Sequence, residues 1–120
     1  MSMLRKSLGW MIGLTGILAA SQAIAHANLV SAVPAKDSTV AAPATITLHF
    51  SEALEMKVSS FKLMSSDGKA VAMKAASAPD TKSLAANPAA PLAPGVYTVS
   101  WTSMGDDAHR VNGTYSFTVK

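Results

Sequence analysis

The chain has 120 residues, enough for one domain, and a net charge of +3 at neutral pH. Residues 26–120 contain eight Lys or Arg and seven Asp or Glu, so most of the positive excess lies at the amino-terminal end. This balance argues against a basic face for nucleic acid and against a polybasic segment for an anionic membrane surface. The absence of cysteine excludes disulfides, thiolate metal sites and thiol nucleophiles, which leaves three His and seven Met as nitrogen and sulfur donors.

Residues 1–25 have the pattern of a secretory signal peptide. Two basic residues precede an apolar stretch, and Ala23 and Ala25 supply the small side chains that a signal peptidase recognises. A membrane-spanning helix is the alternative, but the apolar stretch is shorter than the roughly 20 residues that cross a bilayer. We therefore predict cleavage after residue 25, export of the protein, and a mature domain over residues 26–120 that begins with His26.

Short stretches of alternating apolar and polar residues recur throughout residues 26–120, without sustained helical periodicity. In the stretch 45–50, Ile46, Leu48 and Phe50 alternate with polar residues, as in a strand with one buried face. Turn signals separate these stretches, and their density favours an antiparallel sandwich or barrel of about seven strands. The strands are predicted over residues 28–32, 45–50, 61–63, 71–73, 82–86, 96–101 and 114–119.

Two local motifs add detail to this all-β prediction. Asp67 and Gly68 lie between two predicted strands and indicate a hairpin turn. Residues 92–97 end in Tyr97 and have the pattern of a tyrosine corner, in which the hydroxyl bonds a backbone group a few residues upstream. That device occurs at Greek-key crossovers, so the sequence favours a small Greek-key β-sandwich.

Cleavage before His26 would give one residue two nitrogen donors, a free α-amine and an imidazole. Asp107 and His109 form an Asp-x-His sequence in a predicted loop, where both side chains can point to one side. Alone, such a pair more often forms a surface ion pair in a polar turn. With His26 it supplies three nitrogens and one oxygen, a donor set that suits Cu(II) in tetragonal geometry. We therefore predict a Cu(II) site at His26, Asp107 and His109.

Other donor residues are weaker candidates. Glu52, which follows the stretch 45–50, is the best candidate for a second carboxylate, either as a weak ligand or as a neighbour that offsets the charge of the ion. His49 alternates with core-facing residues, so a structural side chain bonded to a neighbour is the more common interpretation. Met64 and Met73 could contribute to a Cu(I) thioether site, but widely spaced Met residues are more typical of core packing.

Four segments of the sequence together resemble the CopC family of periplasmic copper-resistance proteins. Each segment alone is unspecific, but the combination is specific, and the resemblance extends over residues 26–120. The segments are HANLVS from residue 26, Pro34-Ala35, LHFSE from residue 48, and Asp107-Ala108-His109 before Gly113.

The resemblance implies a cupredoxin-like or immunoglobulin-like Greek-key fold, with Cu(II) held by His26, Asp107 and His109 and with Glu52 close to the metal. Some family members add a Cu(I) site in a Met-rich loop. The corresponding segment of this chain, residues 61–75, holds only two Met and no His. In that respect the chain resembles a subtype that binds Cu(II) alone.

By this resemblance, the leading hypothesis is a non-catalytic, monomeric Cu(II) carrier or buffer in copper resistance or homeostasis that is not an integral membrane protein. The implied partner is a CopD-like inner-membrane copper protein. One alternative is an oxidative enzyme of the lytic polysaccharide monooxygenase kind, which also binds copper through an amino-terminal His, although the short chain and its few aromatic residues disfavour it. The other alternative is a metal-free immunoglobulin-like interaction module, since a fold alone fixes no activity.

Overall fold

The computed structural model describes residues 26–120, so the predicted signal peptide over residues 1–25 lies outside the described part of the chain. The described residues form nine strands and one 3-10 turn, Met56–Val58. Within this range no helix is long and apolar enough to cross a membrane. The strands are β1 (Leu29–Val33), β2 (Thr39–Val40), β3 (Ile46–Phe50), β4 (Ser60–Ser65), β5 (Ala70–Val71), β6 (Met73–Ala75), β7 (Ser83–Pro88), β8 (Gly95–Met104) and β9 (Arg110–Val119).

The strands form two sheets that enclose one core. The four-stranded sheet has the order β1-β3-β7-β6, and the five-stranded sheet has the order β2-β9-β8-β4-β5. The pair β2 and β9 is parallel, and the other pairs in both sheets are antiparallel. Because the chain changes sheets at several connections, the topology is that of a Greek-key sandwich. The predicted all-β Greek-key fold is therefore confirmed.

Strands β8 and β9, ten residues each, form the longest hairpin of the fold, and their register extends to the pair Met104 and Arg110. Because side chains alternate across a strand, β8 buries every second residue along most of its length. Residues 105–109 close this hairpin and carry the predicted Asp-x-His pair. The inward face of β8 consists of Tyr97, Val99, Trp101 and Ser103.

The core is apolar and contains residues from both sheets. Ile46, Leu48 and Phe50 of β3 are buried, as the alternation in the sequence predicts. Trp101 of the other sheet lies edge to face against Phe50, with 5.3 Å between the ring centroids. Gly113 is paired with Trp101 across the hairpin, and its lack of a side chain leaves room for the indole. Burial of this apolar surface stabilises a domain that has no disulfide.

Both predicted turn motifs are confirmed. Tyr97 donates a hydrogen bond of 2.6 Å to the carbonyl oxygen of Ala93, four residues upstream, which is the geometry of a tyrosine corner. Gly68 has a positive φ of 83° in the turn between β4 and β5. That turn is closed by a hydrogen bond of 2.9 Å from the N–H of Ser65 to the carbonyl oxygen of Lys69.

The stretch around Val71 and Met73, predicted as one strand, forms two short strands in different sheets. β5 pairs with β4 in the five-stranded sheet, whereas β6 pairs with β7 in the four-stranded sheet, so the chain changes sheets at Ala72. The weakly predicted strand over residues 82–86 corresponds to β7, which lies inside its sheet between β3 and β6. The two-residue strands β2 and β5 account for a total of nine rather than about seven.

Candidate metal centre

Two imidazoles and one carboxylate converge at one end of the sandwich. His26 lies just before β1, whereas Asp107 and His109 lie in the loop between β8 and β9. The Nδ1 atom of His26 is 2.7 Å from Oδ2 of Asp107, and the Nδ1 atom of His109 is 3.3 Å from the same oxygen. One possible ligand atom from each residue lies within 4.8 Å of those from the other two. The structure therefore brings the three predicted ligands together.

The loop over residues 105–109 orients two of these side chains. The N–H of Ala108 donates a hydrogen bond of 3.1 Å to the carbonyl oxygen of Gly105, and Ala108 has a positive φ of 61°. After this tight turn, the backbone N–H of His109 donates to Oδ1 of Asp107 at 3.1 Å. Because this bond uses Oδ1, Oδ2 of Asp107 is left to face both imidazoles.

His26 is attached to the sandwich through the backbone next to it. The side chain of Ala27 is fully buried in the core. The carbonyl oxygens of His26 and Ala27 accept hydrogen bonds from the hydroxyl groups of Ser51 and Ser103, respectively. The sequence pattern singles out neither serine, because a Ser at the end of a strand or within it carries no sign of its tertiary partner.

Asp107 is the anionic centre of the cluster, and its side chain is only 18% exposed. Burial disfavours the charged carboxylate, but hydrogen bonds from the backbone N–H of His109 and from the imidazoles of His26 and His109 outweigh burial and lower the pKa of Asp107. The carboxylate is therefore ionised at neutral pH and can only accept, so each imidazole that bonds to it donates through its Nδ1–H. The two imidazole rings are perpendicular, with centroids 5.2 Å apart.

The donor chemistry of this cluster fits Cu(II). Imidazole nitrogen and carboxylate oxygen are both ligands that Cu(II) takes in tetragonal sites, and the carboxylate offsets the charge of an ion in a half-buried position. In the full chain, the backbone nitrogen of His26 forms an amide with Ala25, and it is no donor while it keeps its amide proton. Cleavage after Ala25 would turn this nitrogen into an amine and add a fourth donor.

Two other predicted candidates lie outside this group of donor atoms. Glu52 is half-buried directly after Ser51, and its carboxylate does not belong to the set of atoms within 4.8 Å of one another. The Nδ1 atom of His49 is 2.8 Å from the hydroxyl oxygen of Ser83, which in turn donates to Oδ1 of Asp80 at 2.8 Å. His49 therefore has the contacts expected of a structural histidine bonded to its neighbours.

Met64 and Met73 lie in different sheets, on β4 and β6. Both are half-buried, and Met73 packs against the apolar core. Met64 alternates with Leu63, which is fully buried on the inward face of β4. Met73 therefore has a packing role, Met64 lies on the outward face of its strand, and these positions do not favour a shared thioether site.

The chain is similar in sequence and in structure to copper-resistance proteins. Copper resistance protein C from Escherichia coli is 42% identical, with 100% of each chain covered. Copper resistance protein C from Pseudomonas syringae pv. tomato is 40% identical over 88% of this chain and 89% of its own length. The crystal structure of PcoC, a methionine rich copper resistance protein from Escherichia coli, matches with a TM-score of 0.74 and 44% identity over 80% of this chain and 100% of PcoC. Residues 29–120 match the CopC domain, so the resemblance seen in the sequence is confirmed and the chain belongs to the CopC domain family.

Proposed function

We propose that the processed protein binds Cu(II) in the periplasm, as a carrier or buffer in copper resistance or homeostasis and not as an enzyme. The observation that carries this proposal is the convergence of His26, Asp107 and His109, whose donor atoms lie within 4.8 Å of one another. Relatives that are 42% and 40% identical are named copper resistance proteins, which supports copper as the ion.

In the proposed site, His26 supplies two donors, its α-amine and its imidazole Nδ1. These two nitrogens close a six-membered chelate ring on the ion, so one ordered residue contributes two bonds. His109 supplies a third nitrogen and Asp107 supplies an oxygen. A nitrogen-rich set of this kind favours Cu(II), which has the highest affinity among the divalent first-row ions.

The hydrogen bonds within the cluster support this assignment. The Nδ1–H of His26 faces Oδ2 of Asp107, and this nitrogen has to lose its proton before it can bind an ion. The carboxylate of Asp107, which accepts a hydrogen bond from this nitrogen, would then face the copper ion instead. Copper binding therefore replaces a hydrogen-bond donor of Asp107 with a cation, and the carboxylate keeps a favourable partner.

We propose a single copper site. Cu(I) prefers thioether sulfur. PcoC is described as methionine rich, whereas the two Met of residues 61–75 in this chain lie in different sheets. The protein would therefore hold copper as Cu(II). We propose that it acts as a monomer. The partner that the family resemblance implies, and to which it would pass the ion, is a CopD-like inner-membrane copper protein.

Electron paramagnetic resonance of the processed chain, residues 26–120, with one equivalent of Cu(II) tests the proposal. We expect a tetragonal spectrum with nitrogen hyperfine structure and no hydrated copper. His109→Ala should weaken binding about 10-fold or more. His49→Ala is the matched control, because it removes an imidazole outside the cluster and should leave the spectrum unchanged. A signal of hydrated copper from the unsubstituted chain would reject the proposal.

The absence of catalysis is tested separately. With a reductant and with chitin or cellulose as the substrate, the copper-loaded protein should release no oxidised sugar products. Such products would favour an oxidative enzyme over a carrier.

A further inference from the structure

Residues 26–28 are attached to the sandwich by one serine that contacts them three times. The hydroxyl of Ser51 donates to the carbonyl oxygen of His26 at 3.0 Å, and the hydroxyl oxygen of Ser51 accepts a hydrogen bond from the N–H of Asn28 at 3.0 Å. The backbone N–H of Ser51 donates to the carbonyl oxygen of Asn28 at 2.8 Å. Ser51 therefore holds the backbone on both sides of Ala27.

A second serine holds the residue between these contacts. The hydroxyl of Ser103 donates to the carbonyl oxygen of Ala27, which is 76 residues away in the chain. Ser103 is fully buried on the inward face of β8, where the other inward residues are large and mostly apolar. A buried hydroxyl is costly unless it is hydrogen-bonded, so the contact with Ala27 accounts for a polar residue at this position.

The two serines connect His26 to both sheets. Ser51 directly follows β3 of the four-stranded sheet, and Ser103 belongs to β8 of the five-stranded sheet. β8 leads into the loop that carries Asp107 and His109, so Ser103 joins the segment of His26 to the strand that supports the other proposed ligands. The first residues of a chain usually fray unless they are tied down. In a chain that begins at His26, these contacts decide how well the amine is ordered.

We propose that Ser51 and Ser103 are positioning residues for Cu(II) capture. They fix the backbone of residues 26–28, so that the amine and the imidazole of His26 face Asp107 before an ion arrives. This inference rests on the proposed Cu(II) function and adds to it, since neither serine belongs to the proposed donor set. Donors that are already ordered lose less conformational freedom on binding, and contacts behind metal ligands change metal affinity by about 10–100-fold.

Substitutions at Ser51 in the processed chain test this role, with Cu(II) dissociation constants measured by competition with a chelator. Ser51→Ala should weaken binding about 10-fold. It should also add a second copper species to the resonance spectrum, because His26 is then held less firmly. Ser51→Thr keeps a hydroxyl and should restore both the affinity and the single species. Equal affinity for Ser51→Ala and the unsubstituted chain would overturn the proposal.

Ser38→Ala is the matched control. The hydroxyl of Ser38 donates to the carbonyl oxygen of Ala35 at 2.6 Å, so this substitution also removes a bond from a serine to the backbone. The residue next to it, Thr39, pairs with Thr118 near the end of β9 that lies away from the metal cluster. The affinity for Cu(II) and the resonance spectrum of Ser38→Ala should match those of the unsubstituted chain. If Ser38→Ala weakened Cu(II) binding as much as Ser51→Ala does, the loss of affinity would follow from removing any serine hydroxyl, and the positioning role of Ser51 would be contradicted.

Hydrogen exchange on the metal-free chain tests the same inference without copper. The amide of Asn28, an exposed residue, should exchange slowly in the unsubstituted protein because it is bonded to Ser51. Ser103→Ala should accelerate this exchange and weaken Cu(II) binding. Exchange at the rate of an unstructured peptide in the unsubstituted protein would overturn the proposal, even if Ser51→Ala fails to fold. If the Cu(II) function itself fails, the result differs: copper does not bind, yet the amide of Asn28 remains protected.

Discussion

The Nδ1 atom of His26 lies 2.7 Å from Oδ2 of Asp107, although 81 residues separate the two in the chain. The contact joins the residue before β1 to the loop that closes the β8–β9 hairpin. Asp107 also accepts hydrogen bonds from the backbone and the imidazole of His109. One carboxylate therefore contacts and orients both imidazoles, and the first predictions concern this carboxylate.

Asp107→Asn should weaken Cu(II) binding by about 10–100-fold. A neutral amide does not offset the charge of the ion, and its NH₂ group cannot accept hydrogen bonds from the two imidazoles as the second carboxylate oxygen does. Competition with a chelator at constant pH measures the dissociation constant. Asp106→Asn is the matched control, since it removes the same charge from the exposed neighbouring residue. Equal losses in the two variants would assign the effect to net charge and not to Asp107.

The stability of the metal-free protein should depend on Asp107 in acid. Burial raises the pKa of this carboxyl, but the hydrogen bonds from His109 and His26 outweigh it, so the pKa lies below the ordinary value of 3.8. A carboxyl with a lowered pKa contributes stability that is present above its unfolded pKa and is lost as the pH falls through its folded pKa. The free energy of unfolding should therefore decrease below about pH 4.

Urea unfolding of the metal-free chain between pH 6 and pH 3 measures this acid dependence. Asp107→Asn should remove part of the decrease. The pKa values of Asp67 and Asp80 are also lowered, chiefly by hydrogen bonds from Ser65 and Ser83, so some acid dependence remains in the variant. Identical curves for the variant and the unsubstituted chain would contradict the assignment.

The affinity for Cu(II) should decrease steadily from pH 7 to pH 5. Protons compete with the ion for the imidazoles and for the α-amine, so binding releases protons and weakens as their concentration rises. Competition with a chelator, corrected for the protonation of that chelator, measures the change. An affinity that stays constant over this range would exclude ligation by these nitrogens.

The stability of the protein should respond differently to loss of the hydroxyl at Tyr115 and at Tyr97. Tyr115 is 5% exposed, and its hydroxyl has no hydrogen-bond partner among the described residues. Burial raises the pKa of Tyr115 to about 12, so the folded state favours the neutral phenol. This contribution to stability is complete below about pH 10 and is lost as the pH rises towards 12.

Tyr115→Phe should therefore reduce the loss of stability in alkali and cost little at pH 7. Tyr97→Phe should instead cost about 1 kcal/mol at pH 7, because it removes the hydrogen bond to the carbonyl oxygen of Ala93. Denaturant unfolding between pH 7 and pH 12 compares the two variants. The same pH dependence of stability in both variants would contradict the account, in which the hydroxyl of Tyr97 is hydrogen-bonded and that of Tyr115 is not.

Much of the fold could be predicted because one face of each long strand is buried. The alternation in β3, β8 and β9 follows directly from that burial, as Phe50 and Phe117 illustrate. The change of sheets at Ala72 could not be predicted, because strands of two or three residues are too short to show a period. Their pairing depends on β4 and β7, which are distant in sequence from each other.

The candidate site likewise contains one part that local sequence predicts and another part that depends on tertiary structure. Asp107 and His109 are two residues apart in one loop, so their pairing could be predicted from local sequence. The approach of His26 depends on where β1 begins relative to the β8–β9 hairpin, which local sequence does not encode. The contacts of Ser51 and Ser103 are fully tertiary, and hydroxyl residues in strands and turns are too common to indicate them.

The Cu(II) dissociation constants of two preparations test the central claim most directly: one chain begins with the free amine of His26, and the other carries an acetyl group on that amine. The acetyl group converts the amine of His26 into an amide, adds no new amine, and leaves both imidazoles and Asp107 in place. The proposed site predicts that acetylation weakens binding at least about 10-fold, because the chelate of His26 is lost. Equal affinities would show that copper binding does not use the amino terminus and would contradict the account.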